Sequence, residues 1–215
     1  MAGRITALEP QKRSRNRYNV YLDGEFAFGL AETEAARLHV GDWLSDAQIA
    51  TLKTADTVER AREKALNYLS YRPRSEYELR RYLTERGYPE EAIEETLERL
   101  RRVDLVNDAA FAHYWVENRL QFRPRGRRAL SHELRQKGVA HAVIEAELDD
   151  YDEASAAEQC ARQQARRLTH LSPEKFRRRL TQRLARRGFS YYLIRNVIAD
   201  LLSSPDFNLT ESEED

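Results

Sequence analysis

The side chains of this sequence best suited to chemistry are cationic, and they are clustered. Between positions 119 and 137 stand seven basic residues, Arg119, Arg123, Arg125, Arg127, Arg128, Arg135 and Lys137, against one acid, Glu133. Between 162 and 187 stand ten, among them Lys175, Arg177, Arg178, Arg179, Arg183, Arg186 and Arg187, against Glu174 alone. A shorter group near the start holds Arg4, Lys12, Arg13, Arg15 and Arg17 with Glu9. The whole chain is neutral, with 36 acids and 36 bases, but the acids collect elsewhere, in 145–158 and 206–215. Arginine predominates, and its planar fork suits phosphate or carboxylate. The chemistry is therefore anion recognition, with either a nucleic-acid backbone or an acidic protein groove as the anion. Plain solvation of helix faces is the competing reading, and the scarcity of opposing acids weighs against it.

Other chemistries find little support. His113, His132 and His141 with Glu133 follow no metal-ligand spacing. The eight glycines are scattered, with no phosphate-cradling loop, and no nucleophile stands beside a base. The single cysteine, Cys160, falls among Ala156, Ala157 and Ala161 and reads as packing. Phe111, Tyr114 and Trp115 recur at helical spacing and read as a core stripe. No helix start combines the Asn, Gln, Ser and Arg that would read base edges, which disfavours a sequence-specific operator binder. The expectation is a binding protein without catalytic residues, metal or cofactor.

The elements that must carry the basic residues are repeated. Leu83, Gly87, Tyr88, Ile93 and Leu97 recur as Leu134, Gly138, Val139, Ile144 and Leu148, and again as Leu184, Gly188, Phe189, Ile194 and Ile198. The glycines are spaced by 51 and 50 residues, the signature of a helical unit copied along the chain. Tyr71-Arg72-Pro73-Arg74 returns 51 residues later as Phe122-Arg123-Pro124-Arg125, whereas the third copy has Leu171-Ser172-Pro173.

Each copy predicts three helices. In the first, an apolar stripe through Ala61, Ala65 and Leu69 stops before Pro73. A capping box, Ser75 with Glu78, opens the second helix, and Gly87 closes it. Pro89, Glu90 and Glu91 start the third. Asn107 or Asp108 caps the first helix of copy two. Because Leu130, Leu134, Leu180 and Leu184 take the inner face, the arginines must fan outward.

Ahead of the repeats, Tyr18–Leu22 and Phe26–Leu30 alternate around Asp23-Gly24, a hairpin signal, with Ile5–Leu8 as a candidate third strand. Lys12, Arg13, Arg15 and Arg17 then form an exposed basic loop, a possible accessory site. From Ala31 the pattern turns helical, with Trp43 and Leu44 after the Gly41-Asp42 break and Ile49 and Leu52 on a short helix. The expected fold is mainly α, a tandem array of three three-helix repeats after a small β-hairpin module. The boundaries read as 1–55 for that module, 56–105, 106–152 and 153–202 for the repeats, and 203–215 for a disordered acidic tail. An apolar fraction of 41% suits small bundles better than one thick globule. No apolar run spans a bilayer and no signal-peptide core is visible, so the expected location is the cytoplasm. No helix offers a heptad seam, and a monomer is expected.

These residues resemble a known family. Asn107-Asp108-Ala109-Ala110-Phe111-Ala112, Trp115-Val116, Arg119, Arg125-Gly126-Arg127-Arg128-Ala129-Leu130 and Glu133-Leu134 through Lys137-Gly138 are similar to the central motif of the RecX family of recombination regulators. Tyr77-Glu78-Leu79 through Gly87-Tyr88 fits the same organisation. The resemblance spans about residues 58–202, and the third copy departs from it in lacking the Arg-Pro loop. It implies a non-enzymatic protein that lies in the groove of the RecA filament, inhibits RecA ATPase and strand exchange, and has weaker affinity for single- and double-stranded DNA. A general DNA or RNA binder acting without RecA is the alternative.

Overall fold

The computed structural model describes residues 2–12, 16–204 and 207. The chain divides into two compact units, Met1–Val106 and Asn107 onward. The expected acidic tail falls almost wholly outside the described residues, as do Arg13 and Arg15.

The first unit begins with an antiparallel sheet of four strands, β1 (Gly3–Pro10), β2 (Arg17–Leu22), β3 (Glu25–Ala31) and β4 (Trp43–Leu44), in the order β3-β2-β1-β4. The Asp23-Gly24 turn joins β2 to β3 with φ of 49° and 92°, the left-handed backbone that a tight hairpin needs. One face, with Ile5, Val20, Leu22, Phe28 and Leu30, is buried with Leu44 and Ile49. A one-turn helix α1 (Glu32–Ala35) follows β3.

Three expectations for this region are corrected. The helical pattern from Ala31 amounts to one turn, and Trp43 and Leu44 form a strand, because they pair with Arg4 and Gly3 of β1. The short helix carrying Ile49 and Leu52 is the start of α2 (Asp46–Leu69), which runs on for 24 residues into the first repeat. Neither Gly nor Pro interrupts 46–69, and Ser45 and Gln48 close both arms of a capping box at its start, so nothing breaks the backbone ladder. Arg17 is a strand residue, not part of an exposed loop. Its side chain is 15% exposed and gives a 2.9 Å ion pair to Asp56 of α2, whose other oxygen accepts from the Ala31 amide at 2.8 Å. A buried carboxylate needs such partners, and this one fastens sheet to helix.

The first repeat comprises the C-terminal half of α2, α3 (Glu76–Thr84) and α4 (Glu90–Arg102), closed on Ala61, Ala65, Leu79, Leu83, Ile93, Leu97 and Leu100. Ser75 caps α3 by accepting from the Glu78 amide, while the Glu78 carboxylate grips Arg72 at 3.0 and 3.1 Å. The second unit holds repeat two, α5 (Asp108–Phe122), α6 (Arg127–Gln136) and α7 (His141–Asp149), and repeat three, α8 (Glu153–Ala165), α9 (Pro173–Ala185) and α10 (Tyr191–Ser203). Asn107 is the cap of α5, its side chain accepting from the Ala109 and Ala110 amides.

The repeated glycine has one cause throughout. Gly87, Gly138 and Gly188 take φ of 78°, 77° and 87° at the end of each second helix. The next amide, of Tyr88, Val139 or Phe189, then turns back to the carbonyl of Leu83, Leu134 or Leu184. That reversal satisfies an orphan carbonyl, buries Val139 and Phe189 and half-buries Tyr88.

Candidate anion-binding surface of the second unit

Packing dictates where the second-unit arginines go. Leu130 and Leu134 on α6, and Phe176, Leu180 and Leu184 on α9, are fully buried. On α9 the residues flanking Phe176, namely Lys175, Arg177, Arg178 and Arg179, are left exposed, as are Arg123, Arg128, Arg135 and Arg186. No ion pair is found for Arg123, Arg128, Lys175, Arg177, Arg178, Arg179 or Arg186 among the described residues.

The first unit treats its arginines differently. Arg80 is bonded to Glu90 and Glu94, Arg81 to Glu85, Arg99 to Glu95, Arg101 to Glu76 and Glu94, and Arg102 to Glu98. Hydrogen bonds from Arg101 hold the Glu76 carboxyl below its ordinary value, and those from Arg80 and then Arg101 do the same for Glu94. Acids one helical turn away, or across the α3–α4 contact, saturate these guanidiniums. On α9 the one acid, Glu174, stands a helical turn before Arg178 but makes no ion pair among the described residues, and on α6 the one acid, Glu133, is taken by Arg119 and Arg125, so the exposed cations of both helices keep their charge for a partner.

Not every predicted residue is free. Arg119, Arg125, Arg127, Arg183 and Arg187 are half-buried and engaged within the fold. Glu133 organises the first two: its Oε2 accepts from Arg119 Nε at 2.7 Å and from Trp115 Nε1 at 2.9 Å, and its Oε1 lies 3.4 Å from Arg125 Nε. Two cations lie over the Trp115 ring, the Arg119 guanidinium at 4.1 Å and the Lys137 ammonium at 4.8 Å. Arg127 donates to the Asp149 carbonyl at 3.1 Å, and its amide to Glu153 Oε1 at 2.9 Å. Arg183 reaches Gln164 at 3.4 Å, and Arg135 donates to Ser131 at 2.7 Å while staying exposed. Lys12 is exposed in the first unit, apart from this surface in sequence.

Repeats two and three meet closely beneath the basic surface. The Gly126 amide donates to the Arg187 carbonyl at 2.9 Å, and the Arg187 guanidinium to the Pro124 carbonyl at 3.4 Å. Tyr151 donates to the Arg125 carbonyl at 2.7 Å, and burial raises its phenol above the usual range. Burial also raises the Cys160 thiol, against the pull of Arg187 and Arg125, so the thiolate is suppressed there. This joint holds the free cations around the Arg-Pro loop and those of α9 on one body.

Sequence reasoning missed Trp115 and Glu133 as parts of the site. Helical spacing made Trp115 a core residue, and Glu133 was only the odd acid in a basic run. A lone carboxylate amid seven cations is itself the signal, since it must pair with some of them. His113 and His141 lie against separate carboxylates, Glu147 and Glu145. Among the described residues no helix is long and apolar enough to cross a membrane.

Comparison with known proteins bears directly on this arrangement. The RecX N-terminal domain model matches residues 3–40, and the first, second and third three-helix domains of RecX match 61–100, 107–148 and 150–198 in that order. Regulatory protein RecX of Lactobacillus johnsonii is 32% identical over 215 residues, 98% of this chain and 78% of that one. The namesake from Listeria welshimeri is 30% identical over 192 residues, 87% of this chain and 71% of that one. A crystal structure of regulatory protein RecX superposes with a TM-score of 0.73 at 32% identity, covering 92% of this chain and 99% of that one. RecX from Lactobacillus salivarius superposes at 0.59 and 29% identity, over 68% of this chain and 97% of that one. The strand module and the three three-helix bundles fall within these matches in the same order, and the chain belongs to the RecX family of regulatory proteins.

Proposed function

We propose that this protein binds the RecA filament on DNA, lies in its groove, and inhibits RecA ATPase and strand exchange by occupying that surface. The observation that carries the reading is the contrast between the two units: arginines of α3 and α4 are matched by their own acids, whereas Arg123 and Arg128 around Pro124 and Lys175, Arg177, Arg178 and Arg179 on α9 are exposed with no ion pair among the described residues. Cations left unmatched on a rigid body await an external anion, here acidic groove walls or DNA phosphate. Several modest contacts on one chain add through effective concentration. The protein acts as a cytoplasmic monomer without catalytic residues, and single- and double-stranded DNA are weaker ligands of the same surface.

The test is charge reversal where the fold is least involved. Arg178→Glu with Arg179→Glu should raise the concentration needed to inhibit RecA's DNA-dependent ATPase by tenfold or more, on the order of 1 kcal/mol per contact. Arg127→Glu with Arg128→Glu should act in the same direction, with some loss of stability because Arg127 is tied to α7. Inhibition unchanged in the α9 variant, with an unaltered melting curve, sinks the proposal. Equal affinity for RecA-coated and bare single strands at matched salt would favour a general nucleic-acid binder instead.

A further inference from the structure

The first repeat has a face of its own that charge counting overlooks. Tyr68 of α2 and Tyr82 of α3 stack with centroids 3.9 Å apart and planes 6° from parallel. The Arg74 guanidinium covers the outer face of Tyr68 at 3.8 Å, and that of Arg86 covers Tyr82 at 3.5 Å. The result is a column of four planar groups, cation, ring, ring, cation. The Arg74 Nε is buried without a hydrogen-bond partner, so packing against the ring, not a polar bond, places that group. Arg86 is exposed, and no ion pair is found for either arginine among the described residues, although their neighbours on α3 and α4 are saturated by acids.

Two further tyrosines of the same repeat are exposed. Tyr71, two residues past the end of α2, is 77% exposed, and Tyr77 is 49% exposed. Tyr77 stands on α3, the helix that carries Tyr82. The same location is elaborated in the second repeat: adding 51 to Tyr68, Arg74, Tyr82 and Arg86 gives Arg119, Arg125, Glu133 and Lys137, the residues around Trp115. The position is built from planar and cationic groups in both copies, with different composition.

We propose that this face of repeat one is a stacking site for the bases of single-stranded nucleic acid. Unstacked bases have flat faces of their own, and they bind guanidinium planes and tyrosine rings irrespective of sequence. The outer plane of Arg86 lets one base extend the column, the exposed tyrosines offer further platforms, and the unmatched charge of Arg74 and Arg86 attracts the phosphates. A duplex hides its base faces and gains only the electrostatic part. An acidic peptide would use the cations but not the rings. The inference rests on the nucleic-acid part of the proposed function and assigns it a second site, on the unit that lacks the basic surface.

The experiment uses the full chain and fluorescence anisotropy with a labelled thymidine 20-mer, a duplex of equal length and poly-glutamate. Tyr71→Ala with Tyr77→Ala, and separately Arg86→Ala, should weaken single-strand binding on the order of tenfold. Duplex binding should change less than about twofold, since phosphate contacts elsewhere dominate it. Tyr71→Phe with Tyr77→Phe should bind the single strand like the parent, because the ring and not the hydroxyl stacks. Single-strand affinity unchanged in the alanine variants, or an equal fall for duplex and poly-glutamate, overturns the proposal. Parallel RecA ATPase inhibition separates the two readings: a parent that fails to inhibit, with variants that still lose single-strand binding, overturns the proposed function and leaves this site standing.

Discussion

Gly126→Ala tests the joint between repeats two and three, and its sign alone is decisive. Gly126 has φ −72° and ψ 156°, which alanine adopts without strain. If the residue faced open space, alanine would stabilise the protein by about 0.4–1 kcal/mol through the unfolded chain. The structure demands the reverse. A methyl carbon there would sit 2.3 Å from the Gly188 carbonyl oxygen, 2.5 Å from its carbon and 2.7 Å from the Phe189 nitrogen, where ordinary contact begins at 3.4 Å. These are backbone atoms and cannot swing aside, so the joint must open by about an ångström. Overpacking of this kind costs about 1–3 kcal/mol. Straining the Gly126–Arg187 hydrogen bond adds about 1 kcal/mol. For a unit of roughly a hundred residues each kcal/mol lowers the melting temperature by about 4–8 °C, so the transition of the second unit should fall by ~8 °C or more. Calorimetry of the full chain reads this directly, and anisotropy on a duplex should show weaker binding because the two groups of free cations are no longer held in register. A melting temperature equal to or above that of the parent refutes the close approach.

Two other perturbations follow from the ion pairs. Glu133→Gln removes the charge that Arg119 and Arg125 share; it should cost about 1 kcal/mol, discounted for partial exposure, yet raise polyanion affinity several-fold, and a variant that loses both stability and affinity contradicts the role given to Glu133. The carboxyls of Glu76 and Glu94 are depressed in the folded state, so their contribution is fully present above the ordinary value of 4.5 and is lost as pH falls through the lower folded values. The melting temperature of the first unit should therefore drop on acidification below about 4.5, more weakly in high salt, and a flat profile from pH 5 to 3 argues against the network.

Much of the architecture was legible because it rests on local rules. The repeated glycines announced three helix ends that need left-handed backbone, and Asp23-Gly24 announced a hairpin for the same reason. The α2 junction was misread because a short apolar pattern after a turn gives no indication of length; only the absence of Gly and Pro does. Arg17 was misread because its sequence neighbours are basic, whereas its partner, Asp56, lies 39 residues away.

Contiguous residues alone set the family, the three bundles and the outward direction of Lys175, Arg177, Arg178 and Arg179, since periodicity and capping are local properties. The tertiary structure decided which arginines keep their charge available. That depends on whether a carboxylate from another helix comes within reach, as Glu133 does for Arg119 and as none does for Arg178 among the described residues. It also revealed the Tyr68–Tyr82 column, whose partners come from two helices and a loop. Stacking and ion pairing act over a few ångströms in space, and linear spacing cannot state which distant side chains will be that close.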